Sequence, residues 1–178
     1  GYPADYQAII SAAEQEGSVA VYSATDSASA DALLKDFRAL YPKVQTRYYD
    51  LNSTEIYNRY LSETAANAET ADVLWSGSMD LQLKLVADGH ALTHHSPESA
   101  KMPKWAVFED RAWGTTFEQL VITYNKRLFP ADAVPASHGD LLRLLKERPQ
   151  LLAGGKLTSY DPEKSGFGFL LMTQDEKY

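Results

Sequence analysis

Three times in the first ninety residues, a strand-length apolar run leads into a helix-length amphipathic one, and this alternation constrains the fold more than any other feature. Ser18 to Ser23 reads as a buried strand. From Asp26 onward, Ala30, Leu33, Leu34, Phe37, Leu40 and Tyr41 recur as one apolar helix stripe that Pro42 ends. Val44 to Asp50 is β-branched and aromatic. Asn52, followed three residues on by Glu55, then marks a helix start, with Ile56, Tyr57, Tyr60 and Leu61 facing inward. Ala71 to Ser76 is a third strand. Met79 to Asp88 reads as a helix capped by Gly89, although Leu81, Leu83 and Leu85 also alternate as a strand would. Strands alternating with helices imply a parallel α/β sheet joined by right-handed crossovers. A short amphipathic helix over residues 6–16, stopped by Gly17, precedes the first unit.

The pattern changes after His90. Residues 90–104 are polar and irregular, and Trp113 to Asn125 then reads as a long strand. A helix starting at Ser137, with Asp140 three residues later, runs to about Arg148. Gly154 and Gly155 lead into a strand from Lys156 to Tyr160, and Asp161-Pro162 with Ser165-Gly166 open another helix. This predicts a first lobe over 1–114, a crossover or hinge strand over 115–125, and the start of a second, incomplete lobe over 126–178.

In open parallel sheets ligands gather beyond the carboxyl ends of the strands, where loops meet helix N-termini with unpaired N–H groups. Here those ends carry Ser23, Thr25 and Asp26 after the first strand, Ser53 and Thr54 after the second, and Ser76, Gly77 and Ser78 after the third. Ser165 and Gly166 repeat the character in the last loop. Hydroxyls before a helix commonly do no more than cap it. Their recurrence at every strand end, with Gly77 and Gly166 allowing close backbone approach, points instead to an oxyanion such as a phosphate or carboxylate group.

Other groups carry less chemistry. His90, His94 and His95 lie in a loop with no fixed helical face, so no metal site is expected from them. Tyr48 and Tyr49 are adjacent on a strand and point to opposite faces, one core and one surface. Glu118 reads as an exposed strand residue. No nucleophile elbow, Walker loop, dinucleotide fingerprint or HExxH is present. An enzyme acting on phosphorylated small molecules, with Asp26 and Glu118 as an acid/base pair, is the minority reading; no cofactor is expected.

A net charge of −7 argues against a nucleic-acid or acidic-membrane partner held by bulk electrostatics, so any anion must be held locally. The chain has no cysteine, which excludes disulfides and thiolate metal sites. Its apolar runs are far shorter than the ~20 residues of a membrane-spanning helix. Gly1-Tyr2-Pro3 shows no basic or apolar leader region, so no export signal is expected among these residues.

Four segments in order resemble the ferric-iron-type substrate-binding proteins of ABC importers. They are Gly17 to Thr25; Ala71 to Ser76 with Gly89-His90-Ala91-Leu92; Trp113-Gly114-Thr115 to Ile122-Thr123-Tyr124-Asn125; and Gly155-Lys156-Leu157-Thr158 to Tyr160 through Gly166. The resemblance implies a type II periplasmic-binding fold of two α/β lobes with a hinge, the second lobe incomplete, that closes on a solute. It implies a periplasmic location and an ABC permease in the inner membrane as partner, and an incomplete second lobe leaves apolar surface that pairing with another copy, as a homo-oligomer, would cover. Iron binders of the family place a His or similar donor in the first loop and an acidic residue after the third strand. Asp26 and Gly77 stand there here, so the resemblance points to a small phosphorylated or carboxylated anion, with ferric iron as the alternative.

Overall fold

A computed structural model describes residues 2–3, 6–117 and 121–174. The chain divides into two compact units, one of residues 1–115 with 161–178 and one of residues 116–160.

Unit one is built on a parallel sheet. β1 (Ser18–Ser23) lies at its centre, flanked by β2 (Gln45–Asp50) and β3 (Val73–Trp75). β1 pairs with β2 from Ser18↔Gln45 to Ser23↔Asp50, and with β3 only from Val21↔Val73 to Ser23↔Trp75. β3 is shorter than its apolar run because Asp72 interrupts the ladder. The Asp72 carboxylate takes the Ala20 N–H at 2.7 Å, and the Asp72 N–H returns to the Ala20 carbonyl at 2.9 Å.

The helices fall where periodicity and caps predict. α1 (Tyr6–Glu16), α2 (Ser27–Leu40), α3 (Ser53–Ala65) and α4 (Met79–Ala87) alternate with the strands. Gly89, at φ +82°, supplies the left-handed residue that ends α4, which decides the Leu81, Leu83, Leu85 alternation for helix. α3 opens with a complete capping box. The Asn52 side chain accepts the Glu55 N–H at 2.9 Å and the Glu55 carboxylate accepts the Asn52 N–H at 2.9 Å. The core lies between the sheet and α3, where Ala20, Tyr22, Ile56 and Ala71 are buried with Tyr49, Leu51 and Leu74 packed against them.

Tyr22 and Tyr49 meet edge to face at 5.2 Å, and the Arg59 guanidinium lies over both rings at 4.5 and 4.9 Å. Glu63 holds that guanidinium at 2.7 Å and accepts the Tyr22 hydroxyl at 2.8 Å. This network ties β1 and β2 to α3.

Residues 90–106 carry only short 3-10 turns. A small antiparallel pair follows, β4 (Val107–Phe108) with β5 (Ala112–Trp113). Among the described residues the predicted long strand is not seen: after Trp113, residues 114–117 and 121–125 are irregular, and Glu118 lies outside the described residues. A β-rich run becomes a strand only when a neighbour completes its ladder, and among the described residues none does so for 114–117 or 121–125. The same correction applies to residues 156–160, which adopt no strand. From Asp161 the chain groups with unit one, where α6 (Gly166–Gln174) packs against α3 and α4.

Unit two contains α5 (His138–Glu147) among 3-10 turns. Ser137 caps α5 by accepting the Asp140 N–H at 3.1 Å, and α5 buries none of its side chains. Among the described residues no helix is long and apolar enough to cross a membrane.

Candidate functional site

The sequence-predicted residues separate into those that satisfy one another within a loop and those that converge. Ser23 is wholly buried, and its hydroxyl accepts the Thr25 N–H at 3.0 Å. The Thr25 carbonyl accepts the Tyr48 hydroxyl at 2.6 Å. Asp26 precedes α2 without capping it. That end of α2 is served instead by Asp50, whose carboxylate accepts both the Ser27 N–H at 2.9 Å and the Ser27 hydroxyl at 3.3 Å. A carboxylate of the chain itself thus occupies the anion position at α2. Ser76 accepts the Ser78 N–H at 3.2 Å, and Ser165 accepts the Gly168 N–H at 3.0 Å. Ser76 closes a turn ahead of α4, and Ser165 caps α6.

Ser53, Thr54, Ser78 and Gly166 come together. A methyl group added at Gly166 would lie 3.2 Å from the Ser78 Oγ and 3.3 Å from both the Ser53 Oγ and the Thr54 Oγ1. Three helix N-termini therefore meet here, those of α3, α4 and α6. Gly166 permits this close approach, since a side chain there would crowd the three hydroxyls. Beside it, Gly77 faces the Phe167 ring, 3.7 Å from the position of an added methyl.

Ser78 is the least satisfied member. It stands at the cap position of α4 but makes no cap hydrogen bond. It is 1% exposed, and its buried hydroxyl has no hydrogen-bond partner. A buried hydroxyl left unpaired costs about 1–3 kcal/mol, so a group that arrives to pair with it recovers that energy. The first N–H groups of α4 have no side-chain cap either, and together with the dipoles of three helices they favour an anion at this point.

Beside the cluster lies a surface depression of about 470 Å³ whose lining includes Thr54, Asn58, Arg59 and Lys164. Sequence reasoning singled out neither Arg59 nor Asp50. The available signal for Arg59 was its spacing of four from Glu63, which pairs them on one helix face. Asp50 gave none, because its role depends on strand pairing.

The weaker candidates keep separate company. The Tyr60 ring packs edge-on to His90 at 5.5 Å, His94 meets Trp113 at 5.9 Å, and His95 bonds Asp110 at 3.0 Å. Among the described residues no three His, Asp or Glu side chains gather as a metal site. Tyr48 and Tyr49 divide as expected, Tyr48 reaching the Thr25 carbonyl and Tyr49 the core.

The chain matches no known family model and no curated protein. Among solved structures it is similar to the substrate-binding protein of an ABC transporter from Agrobacterium tumefaciens. The TM-score is 0.81 and the identity 35%, over 90% of this chain and 47% of that one. The chain thus spans about half the length of that protein. Its mixed α/β architecture around a parallel sheet is a fold of the periplasmic-binding-protein type.

Proposed function

We propose that this chain is part of the solute-binding component of an ABC import system. In this reading it captures a small organic anion, phosphorylated or carboxylated, and delivers it to a permease in the inner membrane from the periplasmic side. The similarity to a transporter's substrate-binding protein supports the class. The observation that carries the ligand is the Ser78 hydroxyl, buried and unpartnered at an uncapped helix start. Ser53, Thr54 and Gly166 complete the cradle, and hydroxyls with helix N–H groups hold an oxyanion without a cationic cluster. Residues 1–114 are then lobe one, 115–125 the connection, and 126–178 the start of lobe two.

Calorimetric titration with inorganic phosphate and with sorbitol 6-phosphate tests this reading. A hydrogen bond to a charged group is worth about 1.5–3 kcal/mol, so Ser78→Ala should weaken binding roughly 10- to 150-fold. Unchanged affinity in that variant would remove Ser78 from the site. Ferric iron bound in preference to either anion would replace the proposed ligand class.

A further inference from the structure

β2 is an outer strand of the parallel sheet, with β1 on one side and, among the described residues, no strand on the other. The Gln45 N–H goes to the Gly17 carbonyl at 2.8 Å and the Leu51 N–H to the Ser23 carbonyl at 2.9 Å. Peptide groups alternate in direction along a strand, so residues 45, 47, 49 and 51 turn theirs to β1, and Thr46, Tyr48 and Asp50 turn theirs outward. Among the described residues the outward N–H groups find no backbone partner.

Such an edge is ordinarily blunted by proline, by a bulge, by a charged side chain held over it, or by being very short. β3, the other outer strand, is three residues long. β2 runs six residues in unbroken register with β1 and contains no proline. Its charged side chains are turned aside: Arg47 bonds Glu69 and reaches the Ser18 hydroxyl of β1 at 3.4 Å, and Ser27 takes the Asp50 carboxylate. The Tyr48 hydroxyl is likewise held by the Thr25 carbonyl. Nothing in β2 itself bars a further strand.

Charge decides which strand fits. The entry to β2 is basic, with Arg38 and Lys43 exposed beside a depression of about 520 Å³ that Val44, Gln45 and Thr46 also line. Lys43 holds Glu14 at 2.7 Å, whereas Arg38 makes no ion pair among the described residues. The exit is acidic, with Asp26, Asp50 and Glu55 all exposed. A strand whose ends differ in charge is complementary to an antiparallel copy of itself. In the twofold register that pairs the outward groups, Tyr48 lies opposite its own counterpart and Thr46 opposite the second copy's Asp50, each pair exchanging two hydrogen bonds. The same register sets the second copy's Leu51 and Asn52 opposite Gln45 and Val44, so its acidic exit comes onto the depression beside Arg38 and Lys43.

We infer that the outer edge of β2 is a self-association surface, along which two copies of this chain join antiparallel into one continuous sheet across a twofold axis.

Sedimentation equilibrium of this chain from micromolar to submillimolar concentration, with residue-resolved amide exchange on the same samples, tests it. A dimer should form as concentration rises. In the monomer the amides of Arg47 and Tyr49 are protected and those of Thr46, Tyr48 and Asp50 are not, whereas in the dimer all of them exchange slowly. Thr46→Pro removes an outward N–H and none that bonds β1. The double variant Arg38→Glu, Lys43→Glu makes both ends of the strand acidic. Each should weaken the dimer at least tenfold. A chain that stays monomeric throughout overturns the inference. So does a dimer that leaves Thr46, Tyr48 and Asp50 unprotected, or one that either folded variant leaves at full strength, since another surface then joins the copies. If Thr46→Pro does not fold, the charge variant and the wild-type exchange pattern decide.

Discussion

Ser78 shows how one hydroxyl separates a structural role from a functional one. Were it an ordinary helix cap, removing its oxygen would cost about 1 kcal/mol of stability. It makes no cap bond and stands buried without a partner, so Ser78→Ala should leave the denaturant midpoint of the free protein unchanged or raised while ligand affinity falls. Paired unfolding and titration measurements check the two signs together, and a lowered midpoint with full affinity would make Ser78 a cap. Gly166→Ala tests the other wall of the cradle. Its methyl would sit 3.2–3.3 Å from three hydroxyl oxygens, which must shift away from the ligand position. The helix gains up to about 1 kcal/mol from alanine, which offsets the crowding, so stability should change little while affinity drops at least tenfold in titration.

At the scale of elements, α3 is the member that positions the site. Its start is fixed by the Asn52 and Glu55 capping box, and Asn52→Ala should cost about 1 kcal/mol in chemical unfolding because the Glu55 N–H loses its acceptor. Its next turns are anchored to the sheet through Glu63. Burial raises the Glu63 carboxyl, but the bonds from Arg59 and Tyr22 outweigh it and hold the group below its ordinary value near 4.5. A depressed folded-state value means that Glu63 contributes stability above the unfolded value, and that this contribution is lost as the pH falls through the folded one. The stability of the wild type should therefore decline below about pH 4.5 more steeply than that of Glu63→Gln, in unfolding curves taken between pH 6 and 3. Tyr22 works at the opposite limit. Burial first, and then its bond to the Glu63 carboxylate, push the phenol up from its ordinary value.

Across the whole molecule, order is unevenly supported. Every buried apolar residue found among those described belongs to unit one, from Ala20 to Ala106, whereas α5 buries none. Protection against hydrogen exchange follows buried contacts. The amides of β1 should therefore exchange orders of magnitude more slowly than those of residues 138–147, as peptide-resolved exchange by mass spectrometry would measure. Equal protection in both segments would mean that α5 has a covering surface in solution. A homo-oligomer is one such cover, and light scattering on the same sample distinguishes it.

What the sequence determined by itself is local. The alternation of strand and helix, the capping box of Asn52 and Glu55, the Ser137 cap and the Gly89 stop involve residues a few positions apart, so periodicity and spacing reveal them. The tertiary structure alone decided which polar groups remain free. Ser78 and Ser165 look alike in sequence, yet Ser165 is satisfied by the Gly168 N–H and Ser78 by nothing. Asp50 reaches α2 because β1 and β2 place Ser23 beside Asp50, a pairing that no local pattern announces. Residues 114–117, 121–125 and 156–160 have strand-forming side chains without becoming strands, since a strand is completed by a neighbour's hydrogen bonds and not by its own composition. Capping hydroxyls at the strand ends were visible in the sequence. Their convergence on Gly166 was not, because it depends on three helices packing together across more than a hundred residues of chain.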